Sequence, residues 1–197
     1  MLSPLRNLVL SALFLPFCLQ PASAASAIDL PRPLDAEAAL VERYWGWLKA
    51  EVGAPDDLPW PAIEVAPLPR TVRMAFQYPT TRAPRHDLRI ILSPRSVDRA
   101  AGGDRLVVIG ELAHELVHYV LVLSENDWNL SLPSYSDEAH DHCSAEFMRL
   151  NRQVGRFIWD VYHSNDTVRS IDHMVHLACW RDAHRIVLNG GRGTEEP

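Results

Sequence analysis

The sequence predicts an α+β fold in which a small, mostly antiparallel sheet precedes an apolar helix and two further helices. Short apolar segments separated by prolines occupy the region between residues 55 and 94, as the strands of such a sheet do. After residue 104, apolar residues recur at helical spacing in three longer segments. With 197 residues, of which 47% are hydrophobic and 22% charged, the chain can bury the core of one ordinary domain.

Residues 1–24 predict a secretory signal peptide that is not part of this fold. They contain one charged residue, Arg6, followed by an apolar run from Leu8 to Leu19 and the small residues of the segment 21–24. The run is shorter than the roughly 20 apolar residues that a membrane span requires. We therefore expect residues 25–197 to form a single exported domain, periplasmic or secreted, with no membrane span after cleavage.

The predicted elements follow one another in a simple order. The first is an amphipathic helix from Asp35 to Val52, with Asp35 as its N-cap and Gly53 beyond its end. The expected strands are Ile63 to Pro67, Thr71 to Tyr78 and Asp87 to Leu92. The expected later helices are Arg105 to Leu123, about Asp137 to Tyr162, and Thr167 to Leu188 with Asp166 as N-cap.

The cysteines predict one disulfide bond. Signal cleavage removes Cys18 and leaves Cys143 and Cys179 in a chain exported to an oxidising compartment, where two cysteines are expected to pair. The alternative is a pair of buried free thiols.

The charge pattern argues against nucleic-acid binding. The chain has 19 Lys plus Arg against 25 Asp plus Glu, a formal net charge of -6, and no run of like charges. All but one of the basic side chains are arginines, the exception being Lys49, and no group of arginines along the sequence forms an obvious clamp for a phosphate or carboxylate.

The predicted helix from Arg105 to Leu123 carries the pattern HExxH as His114, Glu115 and His118. Residues four apart lie on the same helix face, so the two imidazoles can reach one ion while Glu115 projects beside them. The rest of this helix is apolar and therefore predicted to be buried, where unpaired polar side chains cost several kcal/mol. A metal ion would provide the partner that these side chains need.

In these residues the sequence resembles the zincin metallopeptidases, over a segment from about Asp87 to Asp160 in which HELVH is the only specific motif. The resemblance implies a Zn²⁺ ion held by His114 and His118, with Glu115 as general base. It also implies a peptide or protein substrate, bound by strand addition to the predicted strand Asp87 to Leu92 as an edge strand.

The resemblance leaves the third zinc ligand open. Glu146 is the first choice, since gluzincins place a glutamate on the helix after the motif, although Phe147 stands where a small residue is commoner. His142 or His140 is the alternative, as in SprT-like zincins, although Cys143 replaces the glycine usual there. Because His142 and Glu146 are four apart, we expect them to share a helix face, one binding zinc and the other orienting it. The metzincin signature is absent.

These features together predict an exported zinc-dependent hydrolase, a peptidase in which Glu115 takes a proton from a zinc-activated water. The alternative is a non-catalytic, structural metal-binding or interaction module of the cell envelope, with both His142 and Glu146 as ligands. A chain without any metal is the third possibility. Glu115 favours the hydrolase, because a purely structural site does not require it.

Overall fold

The computed structural model describes residues 28–81, 83–84, 87–135 and 142–190, with side chains described up to residue 181. The predicted signal peptide lies outside the described residues, as does His140, one of the alternative metal ligands.

Helices and a small sheet are both present, so the α+β class predicted from the sequence is confirmed. The elements of the described residues are, in chain order, a 3-10 turn at Leu34–Glu37, α1 at Ala38–Val52, β1 at Ala62–Val65, β2 at Met74–Gln77, β3 at Arg89–Leu92, α2 at Pro94–Arg99, a π-helical segment at Ala100–Asp104, α3 at Arg105–Ser124, α4 at Ala145–Tyr162 and α5 at Asn165–Gly190.

The sheet is mixed, and the prediction of a mostly antiparallel sheet is wrong. Its strand order is β1-β3-β2, with β3 parallel to β1 and antiparallel to β2. Strand β3 takes the centre because it is apolar on both faces, with Ile90, Ile91 and Leu92 all buried, whereas most of β1 is exposed. The prediction that Asp87 to Leu92 forms an edge strand is therefore also wrong, and β2 is the edge strand that packs on α3.

Helix α2 is an element that the sequence analysis missed. The hydroxyl oxygen of Ser93 caps its N-terminus by accepting a hydrogen bond from Ser96 N–H, and Pro94 occupies the first turn, where its missing N–H costs nothing. Ser93 and Pro94 are the sequence features from which the start of this helix could have been predicted. Gly103, with φ of 111°, then allows the kink between α2 and α3.

Helix α3 forms the centre of the fold, in contact with α1, α4, α5 and β2. Gly110 lets α5 approach closely, because a Cβ atom at this position would lie 2.7 Å from Ile171 Cγ1. The helical stretch Pro94–Ser124 is long and apolar enough to cross a membrane, but 67% of its most apolar window is buried in the fold, as in the core helix of a globular domain.

Helix α4 starts later than the sequence predicted. The Ser144 hydroxyl accepts a hydrogen bond from Phe147 N–H and caps the helix, which begins at Ala145 instead of near Asp137. Residue 142 therefore precedes the helix.

The predicted disulfide between Cys143 and Cys179 is confirmed. It ties the segment just before α4 to α5.

Candidate metal centre

Helix α3 presents His114 and His118 on one face, one turn apart. Their Nε2 atoms lie 3.2 Å from each other, the proximity that i, i+4 spacing on a helix was expected to give.

His142 completes a group of three imidazoles. Its Nε2 lies 2.9 Å from Nε2 of His118, and one potential ligand nitrogen from each of the three histidines falls within 4.8 Å of the others. The structure thus brings together three of the predicted site residues in a group that could hold a metal ion. Of the alternatives for the third position, it favours His142.

Glu146 does not join this group. Its side chain is exposed in the first turn of α4, and it does not belong to the group that could hold a metal ion among the described residues. The expectation that His142 and Glu146 share a helix face is wrong, because α4 begins only at Ala145 and His142 lies before its N-cap. The backbone between these two residues therefore lacks the helical repeat on which the prediction depended.

Phe147 forms the apolar floor of the site. Its side chain is fully buried, and its ring centroid lies 4.8 to 5.0 Å from those of all three imidazoles. In the sequence this residue only marked a departure from the zincin pattern. Its ring packs against all three imidazoles.

Asn151 is a site residue that the sequence analysis missed. It is fully buried on α4, with Nδ2 2.8 Å from Nδ1 of His114 and with Oδ1 lacking a hydrogen-bond partner among the described residues. A neutral imidazole that offers its Nε2 lone pair to a cation carries its proton on Nδ1. Turning the Asn151 amide by 180° exchanges Nδ2 and Oδ1. Oδ1 then accepts a hydrogen bond from the Nδ1–H group of His114. This is the support that histidine ligands usually receive, and the environment of His114 therefore fits a metal ligand.

Glu115 lies beside the three histidines and faces the sheet. Its Oε2 accepts a hydrogen bond of 2.7 Å from the backbone N–H of Phe76 in β2. Burial raises the pKa of Glu115 to about 7, against the lowering effect of the Phe76 N–H and with a further increase from the nearby Glu111 carboxylate. The carboxyl group is thus held at the edge of the sheet next to the candidate metal ligands.

Glu111, one turn before Glu115, binds two arginines. Its Oε1 accepts hydrogen bonds from Arg73 Nη1 at 2.9 Å and Arg99 Nη1 at 3.1 Å. Glu111 is buried, with 8% of the residue exposed, and the arginines compensate its charge. These ion pairs connect the residue just before β2 and the end of α2 to α3, one turn from Glu115.

Comparison of this chain with protein-family models, curated proteins and solved structures found no match. The inference of function therefore depends on the chemistry of the site.

Proposed function

We propose that this protein is an exported zinc-dependent hydrolase of the zincin type, and that it cleaves peptide bonds. The observation that carries the proposal is the convergence of His114, His118 and His142 beside the partly buried carboxyl group of Glu115.

The donor set suits zinc. Three imidazole nitrogens are a known ligand set of catalytic zinc sites, which keep one further position open. In a tetrahedral site with bonds of 2.0 to 2.1 Å, ligand nitrogens lie about 3.4 Å apart. Nε2 of His118 lies 3.2 Å from that of His114 and 2.9 Å from that of His142, and all three ligand atoms fall within 4.8 Å of one another. A bound Zn²⁺ ion supplies Lewis acidity, which lowers the pKa of water and polarises a carbonyl group.

Glu115 is the group that would move the proton in such a reaction. As general base it would accept a proton from the attacking water, and it would then pass the proton to the leaving amine. Its hydrogen bond with Phe76 N–H keeps the carboxyl group between the histidines and β2.

Strand β2 is suited to hold an extended peptide. It lies at an edge of the sheet, and its Phe76 N–H, which donates to Glu115, places this edge next to the carboxyl group. A peptide added along this edge would pass directly in front of Glu115, so β2 replaces β3 as the expected substrate strand.

The alternative, a structural metal module, requires a fourth protein ligand to close the site. The sequence predicted Glu146 for this position, but its side chain is exposed and does not belong to the group of three histidines found among the described residues. The form of the alternative in which Glu146 closes the site is therefore not favoured.

The zinc content of the purified protein, measured by mass spectrometry, tests the metal site. We expect about one zinc per chain, lost in His142→Ala and retained in Glu146→Ala, which serves as the matched control. Retention of zinc in His142→Ala with loss in Glu146→Ala would contradict the assignment of the third ligand. Absence of zinc from the wild type after reconstitution would refute the proposal.

Catalysis is tested separately with Glu115→Gln. This change preserves shape and the metal ligands but removes the base, so zinc should stay bound while the rate of peptide hydrolysis falls by at least about 100-fold. The same substitution at the exposed Glu146 is the control and should leave the rate unchanged. Undiminished hydrolysis by Glu115→Gln would refute the assigned mechanism.

A further inference from the structure

A large pocket opens directly beside the candidate metal centre. It has a volume of about 730 Å³, and its lining includes His114 and Glu115. One side is formed by residues 70–74, which lead into β2, and the other by α5. Any substrate held at Glu115 therefore has this pocket next to it.

Four arginines line this pocket, in contrast to the acidic character of the whole chain. They are Arg70, Arg73, Arg99 and Arg181, and we call them the arginine cluster. The acids in the same lining are Glu111 and Glu115, which leaves an excess of positive charge. The chain as a whole has a formal net charge of -6, so the excess is a local feature of this pocket.

The members of the arginine cluster differ in how they are engaged. Arg73 and Arg99 share the buried carboxylate of Glu111, and Arg99 also pairs with Asp104, so both of these cations already have acidic partners. Arg70 and Arg181 form no side-chain ion pair with any of the residues that the structure describes, which leaves their guanidinium groups available to a ligand.

The rest of the pocket wall is suited to contact the methylene groups of an acidic side chain. Helix α5 contributes Met174, Leu177 and Ala178, an apolar surface against which methylene groups can pack. Arginine is the residue best suited to bind carboxylates, because its planar group donates two parallel hydrogen bonds.

We infer that this pocket is a substrate subsite that binds a carboxylate of the peptide, and that the arginine cluster selects for it. The inference deepens the proposed function and rests on it, because it assigns a substrate class to the same site. The carboxylate comes either from an acidic side chain near the scissile bond or from the C-terminus of the peptide. Sequence analysis found no such clamp, because its members are spread from residue 70 to residue 181 and only the fold unites them.

Binding without turnover tests the inference. The probes are short fluorescent peptides, identical except for a central Glu, Gln or Lys, each made with a free and with an amidated C-terminus. Their affinity for the Glu115→Gln protein is measured by fluorescence anisotropy, and the zinc content of each preparation is determined in parallel. The Arg70→Ala plus Arg181→Ala variant removes the two unpaired cations, and Arg169→Ala is the matched control on the exposed surface of α5 outside the pocket.

We expect the amidated Glu peptide to bind about fivefold more tightly than the Gln peptide, with the Lys peptide weakest. The double variant should lose this preference at unchanged zinc content, and Arg169→Ala should keep it. A preference that follows the free C-terminus instead of the central Glu supports the inference and identifies the terminal carboxylate as the ligand. Equal binding of all peptides, or a preference that survives the double variant, would overturn it. Selective binding by the Glu115→Gln protein, together with a wild-type protein that contains no zinc after reconstitution, would refute only the hydrolase proposal.

Discussion

Replacing both cysteines, as Cys143→Ser with Cys179→Ser, should strongly destabilise the protein. The bridge joins residues with a sequence separation of 36. A closed loop of this length removes chain entropy from the unfolded state that corresponds to about 4 kcal/mol at 25 °C. In a domain of this size, a loss of about 4 kcal/mol lowers Tm by about 8 to 16 °C.

The same substitutions should also weaken metal binding. Cys143 directly follows His142, so the bridge to α5 restrains the segment that supplies the third imidazole. Without the bridge, this segment must lose more conformational entropy when it becomes ordered around the ion. Binding is then less favourable, and we expect a lower zinc affinity in the variant.

Urea unfolding in the presence of a chelator measures the first effect alone, because bound metal would add its own stabilisation. Competition with a chromophoric chelator then measures zinc affinity in the folded state. Wild-type protein treated with a reductant is the control, and it should show the same loss of stability as the double variant. A metal-free unfolding free energy within about 1 kcal/mol of the oxidised wild type would refute the loop-entropy reasoning. An unchanged zinc affinity would show that the bridge does not position His142.

Two further predictions concern α3 and the helices packed against it. Asn151→Ala should lower zinc affinity by about 10- to 100-fold, because it removes the Asn151 amide from Nδ1 of His114. Asn151→Asp retains an acceptor and should bind zinc more tightly than Asn151→Ala. Equal affinities of the two variants in chelator competition would contradict this role. Gly110→Ala should cost about 1 to 3 kcal/mol in urea unfolding, because the new methyl group collides with the buried Ile171. Gly46→Ala, also within a helix but with nothing within 4 Å of its added Cβ, is the control and should not destabilise the protein; equal losses in both variants would show that the collision is relieved.

The features that sequence analysis predicted well depend on neighbouring residues. The helix that carries HExxH starts at Arg105 as predicted and ends at Ser124, one residue beyond the prediction, because its apolar repeat is continuous. The proximity of His114 and His118 follows from the helix geometry alone. The disulfide followed from counting cysteines in a chain predicted to be exported.

The features that it missed depend on where a helix starts or on how elements pack. Glu146 was preferred over His142 because gluzincins place a glutamate on the helix after the motif, but in this fold Glu146 is exposed and His142, just before α4, lies beside His118. The edge strand was misassigned because strand order in a sheet is set by the burial of each strand, and β3, with both faces apolar, lies at the centre.

By itself the sequence determined the α+β class, the helix of the motif with its two histidines and Glu115, and the cysteine pair. These depend on spacing within one segment or on composition, both of which can be read without knowing the fold. Only the tertiary structure decided that His142 faces His118, that Asn151 supports His114 and that Arg70 and Arg181 line one pocket. Each of these contacts joins residues from different elements, and their proximity is set by how the buried faces of those elements pack together.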